Sequence, residues 1–196
     1  MTAAIVDRSM LYDKMQHRSL VRQLIRTFGE AGPSNGAEVG VYRGQLTAVM
    51  LDAFPDLMLT LVDPWRAGVA PVRAIKGDEW LKFDQFRWDE IYKEVLHNIG
   101  PATHRCRVMR MLSEQAAAQI EDDSLDFVFI DADHSYESVK HDIELWMPKV
   151  RRLICGHDYG GKNDRVGVWG VRRAVDEAFG DQVKVRSGLI WAVEIK

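Results

Sequence analysis

The sequence predicts an α/β fold: a seven-stranded, mostly parallel sheet with helices on both faces and one antiparallel strand contributed by a C-terminal hairpin. Three observations predict it. Strand-like and helix-like segments alternate along the chain after an initial helix, the pattern of a parallel sheet with crossover helices. The strand-like segments are apolar on both faces, as in "LMLTLVD" (57–63) and "LDFVFID" (125–131), which suits strands covered on both sides. The tail "QVKVRSGLIWAVEI" alternates apolar and polar residues around Ser187-Gly188, as a hairpin does.

The elements follow in order. Leu11, Met15, Leu20, Leu24, Ile25 and Phe28 recur at helical spacing, with Ser9 as a candidate cap and Gly29 and Gly32-Pro33 as stops. "AEVGV" (37–41) is the first strand, and "QLTAVMLDAF" (45–54) a helix ended by Pro55. After the second strand, the segment from Pro64 to about Glu79 is irregular, with two prolines and two glycines. A long irregular connection of that kind is more often functional than idle. A helix carrying Phe86, Ile91, Val95 and Ile99 then runs to Gly100-Pro101. "HRCRVMRML" (104–112) is the third strand and "SEQAAAQI" a short helix with Ser113 as its candidate cap. The fourth strand leads into a helix with Tyr136, Val139, Ile143, Trp146 and Val150 near one face, leaving Asp142 and Glu144 on an exposed one. "RRLICGHD" (151–158) is the fifth strand, and "WGVRRAVDEAF" (169–179) a helix after a Gly-rich loop.

Composition narrows the function. The chain has 196 residues, 46% hydrophobic and 28% charged, which fits one domain with a sizeable core. A net charge of -3 argues against a general nucleic-acid binder. No apolar run is long enough to span a membrane, and the opening stretch lacks the apolar block of a secretory leader. Cys106 and Cys155 fall in strand-like runs and read as free thiols of a reducing cytoplasm. The expected organisation is a single domain over 1–196, with a helical extension at 1–35 and an acceptor lid at 64–85. The N-terminal helix either packs on its own domain or forms a homodimer contact.

In open parallel sheets, ligands bind beyond the carboxyl ends of the strands. The first strand ends in "EVGVYRG", with Glu38, Gly40 and Gly44. This is G-x-x-x-G, not the G-x-G-x-x-G of dinucleotide enzymes, and Glu38 would repel a pyrophosphate. The glutamate suits a ligand with an ammonium group. The second strand ends in Asp63, about twenty residues past the glycine turn, where a carboxylate commonly accepts ribose hydroxyls. Read alone, Asp63 is as well explained as a turn residue before Pro64. Met111, Leu112 and Ser113 offer either a slot for a flat base or a core contact with a helix cap. The fourth strand ends in Asp131 and the fifth in His157-Asp158. Carboxylates gathered at one rim repel unless they share a proton or a cation, and a divalent ion is one solution.

At these residues the chain resembles a known family. "EVGVYRG", "LVDPW", "FIDADHSYESVKHDIELW" and "ICGHDY" are together similar to class I S-adenosylmethionine-dependent methyltransferases, and specifically to small bacterial members related to metal-dependent O-methyltransferases of the macrocin and catechol types. The resemblance runs from about residue 36 to the C-terminus and implies a Rossmann-like methyltransferase fold. It implies that Glu38, Gly40 and Gly44 surround the methionine part of the cofactor. Asp63 would take the ribose hydroxyls, Trp65 or Met111 would lie near the adenine, and Ser113 at the adenine edge. Asp131 would sit by the sulfonium and ligate a metal together with His157 and Asp158. Relatives carry Asp-Asp or Asp-Asn where this chain has His157-Asp158, and histidine favours Mn, Fe or Zn over Mg. The usual Pro-Gly-Gly turn before the fifth strand is replaced by "VRRL".

Methyl transfer to a hydroxyl requires in-line alignment, exclusion of water and removal of the acceptor's proton. His134 and His157 are the candidate bases beside Asp131 and Asp158, and each also has a plain reading as a helix-start or loop-bridging residue. Trp80, Trp88 and Trp169 either line an acceptor pocket or anchor the lid and last helix. The expected partner is a small-molecule methyl acceptor, a sugar or secondary metabolite. A nicotinamide oxidoreductase and an inactive cofactor-binding partner subunit are the competing readings.

Overall fold

A computed structural model describes residues 15–68 and 82–195 of the chain. The described residues form a seven-stranded sheet in the order β3-β2-β1-β4-β5-β7-β6. The strands are β1 (Asn35–Val39), β2 (Met58–Val62), β3 (Cys106–Met109), β4 (Leu125–Ile130), β5 (Val150–Gly156), β6 (Lys184–Arg186) and β7 (Ile190–Glu194). The first five run parallel, whereas β7 is antiparallel to both β5 and β6. The helices are α1 (Met15–Phe28), α2 (Gln45–Ala53), α3 (Gln85–Ile99), α4 (Ser113–Ala117), α5 (Tyr136–Trp146), α6 (Lys162–Arg165) and α7 (Val171–Phe179). The mixed sheet and its hairpin match the expected fold class. The short α6 breaks what the sequence reads as a plain Gly-rich loop.

Two-residue periodicity sorts the core. On β4, Phe127 and Phe129 pack with Leu153, Cys155, Ile190, Ala192 and helices α1, α2 and α3. Val128 and Ile130 face the other way, with Ile154, Val193 and helices α4, α5 and α7. Both faces of each central strand are therefore covered, which is why the strands read as unbroken apolar runs. Leu20 and Leu24 seat α1 on its own sheet, and Ser19 and Gln23 reach Ser187 and Arg186 in the hairpin. Ser9, Leu11, Trp80 and most of the expected lid lie outside the described residues.

Helix ends follow local chemistry. Gly29, at φ +83°, closes α1 by donating from its amide to the Ile25 carbonyl. Ser135 caps α5, accepting from the Ser138 amide, and Asp133 accepts from the Ser135 amide behind it. Three expectations need correction. Ser113 is the first residue of α4, not its cap; Gln115 satisfies the Leu112 amide there instead. Asp142 is 5% exposed, because α5 turns it inward against Ser113, while Glu144 is exposed as expected. Phe86, grouped with the apolar residues of α3, is 72% exposed, because only Ile91, Val95 and Ile99 reach the core.

The register places the site. Val39 pairs with both Val62 and Ile130, Val62 with Met109, and Ile130 with Gly156. Gly40, Asp63, Arg110, Asp131 and His157 each follow one residue later, at one rim. The crevice lies between β1 and β4, from which the chain winds in opposite directions.

Candidate active site

The glycine turn is held in place from two sides. Gly40 adopts φ +89°, and a β-carbon there would stand 2.2 Å from the Asp131 carbonyl oxygen. Only glycine allows β1 to turn away this close to the end of β4. The Gly40 amide donates to the Val62 carbonyl at 2.8 Å. Asp63 accepts from the Val41 and Tyr42 amides at 3.1 and 2.9 Å, and from the Trp65 amide at 2.8 Å. Burial pushes its carboxyl up, against those amides and the charge of Arg110. Gly44, in left-handed conformation, precedes α2. Trp65 is fully buried and supports the turn from behind, its indole donating to the Tyr42 carbonyl.

Glu38 lies on the α2 face of β1, only 2% exposed. Its carboxyl accepts from the Thr47 hydroxyl at 2.5 Å. Burial pushes its pKa up to about 8, the Thr47 bond opposes this, and the negative charges of Asp131 and Asp63 add to it. The charges acting on Glu38 are thus other carboxylates. A cationic ligand entering this corner would relieve all three.

On the other side of the rim, Met111 packs at the edge of the core. Ser113 donates to Asp142 at 2.5 Å and accepts from the Trp146 indole at 2.8 Å. A serine hydroxyl in that arrangement keeps one lone pair for a further donor. Burial lifts the Asp142 carboxyl to about 6, against the Ser113 bond. Sequence reasoning passed over Arg110. Its guanidinium donates to the Trp65 carbonyl at 2.8 Å, pairs with Asp89 and covers the Tyr92 ring. Its place immediately after the third strand was the available signal.

Four ionisable groups converge where β4 and β5 end. His134 Nε2 lies 3.1 Å from Asp131 Oδ1 and 3.1 Å from Asp158 Oδ2. His157 Nδ1 lies 3.2 Å from Asp158 Oδ2 and 3.8 Å from Asp131 Oδ1. Asp158 reaches inward from a left-handed backbone, φ +61°. Burial disfavours the His134 imidazolium, but the hydrogen bonds and charges of Asp131 and Asp158 outweigh it and lift His134 to about 10. His157 is raised likewise, against its burial, by Asp158 and Asp131 and by a backbone bond to Gly188. Burial raises the Asp158 carboxyl, yet the two histidines hold it well below the usual carboxylate range. The His134 ring stacks on Trp169, centroids 4.4 Å apart and planes 27° apart. The Gly170 amide donates to the His134 carbonyl and fixes the loop there.

Residues 37–159, which hold the glycine turn and this cluster, match the family model described as a methyltransferase domain. The chain belongs to that family. This methyltransferase domain is also 34% identical over 96 residues to a protein of Sinorhizobium fredii called uncharacterized protein y4gI. That stretch is 48% of the chain and 10% of the relative, so the chain spans about a tenth of that relative's length. Solved structures share the fold at low identity. The O-methyltransferase NovP superposes with a TM-score of 0.62 at 18% identity, covering 91% of this chain and 78% of that one. The O-methyltransferase from Bacillus cereus in complex with SAH gives 0.59 at 18%, covering 96% and 86%. TomG from Streptomyces achromogenes, an O-methyltransferase of tomaymycin synthesis in complex with SAM, gives 0.58 at 13%, covering 92% and 80%.

The donor set of the methyltransferase domain fits a divalent ion. One ligand atom each from Asp131, His134 and Asp158 lie within 4.8 Å of one another. Two carboxylates and an imidazole suit Mn, Fe or Zn better than Mg. His157, expected as the third ligand, stands beside this group and bonds Asp158. No helix among the described residues is long and apolar enough to cross a membrane.

Proposed function

We propose that the protein is an S-adenosylmethionine-dependent methyltransferase that acts on a hydroxyl of a small molecule with help from a divalent ion. One observation carries the reading. Gly40, the pivot of the ligand turn, backs directly onto Asp131, the first member of the ionisable cluster. A ligand seated along the turn therefore has its inner end at Asp131, His134 and Asp158.

The cofactor would supply an activated methyl on a sulfonium. Glu38 suits its ammonium, since that corner is rich in carboxylates. Asp63 holds the turn and would take the ribose hydroxyls, and Met111 and the remaining lone pair of Ser113 would meet the adenine. Buried Trp65 sets the height of the turn without offering the ligand an open face.

Asp131, His134 and Asp158 would hold the ion, which would lower the pKa of the acceptor hydroxyl. The metal-free alternative makes His134 the base. Nε2 cannot do both. The His134 imidazolium, lifted to about 10 by Asp131 and Asp158, must give up its proton before it can serve as ligand or as base, and a divalent ion between the same two carboxylates would displace that proton. His157 keeps Asp158 oriented through Nδ1. Trp169, stacked on His134, would border the acceptor.

Calorimetry with S-adenosylmethionine tests the first part, and absence of heat would sink it. A labelled-methyl assay over candidate acceptors tests the second. Activity is expected to vanish in chelator and return with Mn, Fe or Zn. Full activity in chelator would remove the ion and return the proton to His134.

A further inference from the structure

The turn joining β6 to β7 places a strained apolar residue at the cluster. Leu189 has φ +63°, a left-handed conformation that bulky side chains avoid, and it is 38% exposed. Burial does not account for it, because the neighbouring Ile190 takes the core position. Two contacts bind this turn to the end of β5. The Tyr159 amide donates to the Leu189 carbonyl at 3.1 Å, and His157 bonds the Gly188 backbone. The side chain points the same way. A β-carbon on Gly161 would stand 3.2 Å from Leu189 Cδ1 and 3.7 Å from Asp158 Oδ1. The methyl tip and the carboxylate thus lie on either side of buried Gly161, which has no room for a side chain between them.

A second apolar side chain, Trp169, stacks on His134 from a loop that exposes Val166 (66%) and Val168. The ionisable centre is therefore bordered by apolar surface from two separate elements. Exposed apolar side chains beside a charged cluster gain nothing from water. The left-handed backbone itself closes the three-residue loop between the paired Arg186 and Ile190, a position that glycine or asparagine fills at less cost, so a leucine there is accounted for by its side chain and not by the turn.

We propose that Leu189 is a specificity-determining residue of the acceptor pocket, packing against an apolar ring skeleton that carries the reacting hydroxyl. The inference rests on the methyl-transfer reading and narrows its acceptor from any hydroxyl compound to one with a hydrophobic ring. A free sugar, hydroxylated all round, would leave Leu189 and Trp169 facing polar groups.

The test uses the full chain, with 2-naphthol and methyl α-glucoside as probes and S-adenosylhomocysteine as cofactor product. Affinities are read by calorimetry in wild type, Leu189→Gly and Leu189→Asn. Both replacements accept the left-handed backbone, so folding is preserved. Wild type is expected to bind naphthol in preference to the glucoside. Each variant should lose about tenfold in naphthol affinity, the scale of an apolar contact in a pocket. Melting temperature and S-adenosylhomocysteine affinity should hold in both, with Leu189→Gly equal to or above wild type in melting temperature. Unchanged naphthol affinity in the variants, no naphthol binding by wild type, or preference for the glucoside would overturn the proposal. So would a joint fall in melting temperature and S-adenosylhomocysteine affinity, since that marks a structural role. Naphthol binding without S-adenosylhomocysteine binding would count against methyl transfer and leave the apolar pocket standing.

Discussion

His134 and Asp158 meet at 3.1 Å across the ends of two adjacent parallel strands, through the same nitrogen that contacts Asp131 at the same distance. One imidazolium N–H is shared between two carboxylates, in the place where the donor set fits a divalent ion.

That arrangement predicts a pH-dependent stability in metal-free protein. The folded pKa of His134 is raised from 6.5 to about 10. Its contribution is fully present below about pH 6.5 and is lost as pH rises through 10. Denaturant midpoints should therefore fall on the alkaline side. Asp158→Asn should lower the His134 pKa, read by NMR titration, and cost on the order of 1–3 kcal/mol at neutral pH. An unchanged His134 titration in the variant would mean that the pairing does not form in solution.

Glu38 predicts the opposite use of charge. Its folded pKa is raised from 4.5 to about 8, so the folded state holds a proton that the unfolded state has lost across that window. The sign follows: this group's stabilising share is present below pH 4.5 and declines as pH rises to 8, by at most about 1.4 kcal/mol per pH unit. Glu38→Gln should remove that slope while weakening S-adenosylmethionine binding about tenfold or more. The wild type should release a proton on binding, visible as a dependence of calorimetric heat on the buffer's ionisation enthalpy. Equal heats in phosphate and Tris would contradict it.

Ser113 and Asp142 act as a pair. Ser113→Ala strands a buried carboxyl and the Trp146 indole N–H, at a cost of about 1–3 kcal/mol for each group. Asp142→Asn keeps a partner for the serine and should cost less. Asp142 is raised from 3.8 to about 6, so its share of stability falls as pH rises through that interval. The asparagine variant should lack that fall. Equal losses for the two variants in thermal melts would refute the pairing.

Much of this site was legible before the fold. Strand ends are legible because apolar runs stop where the chain leaves the core, and register then carries Gly40, Asp63, Asp131 and His157 to one rim. The side-chain pairings were not. Asp142 reads as exposed because its spacing on α5 does not reveal that α4 covers it. Trp65, one of the two residues that the resemblance puts near the adenine, is fully buried. What sets His134 apart from His157 is 3.1 Å to both carboxylates against 3.8 and 3.2 Å, a difference that no periodicity encodes. Leu189 was invisible for a similar reason, since a left-handed leucine follows from no propensity.

Gly40 offers the sharpest test of how turn and cluster are joined. At φ +89° any side chain is strained, and a β-carbon would lie 2.2 Å from the Asp131 carbonyl oxygen and 2.8 Å from the Ala132 α-carbon. Both neighbours are backbone, so neither can rotate away. Gly40→Ala must therefore push β1 from β4 or shift Asp131, at several kcal/mol in stability, cofactor affinity or both. Gly68 is the control, since it shares a positive φ of +75° but, among the described residues, has no atom within 4 Å of an added β-carbon. Gly68→Ala should cost only the backbone strain, about 1 kcal/mol, and leave cofactor binding intact. The expected contrast is loss of S-adenosylmethionine binding and of the shared His134 proton signal in the first variant alone. Should Gly40→Ala bind the cofactor with wild-type affinity, the turn and Asp131 are not in contact and the placement of the reacting end beside the cluster falls with it.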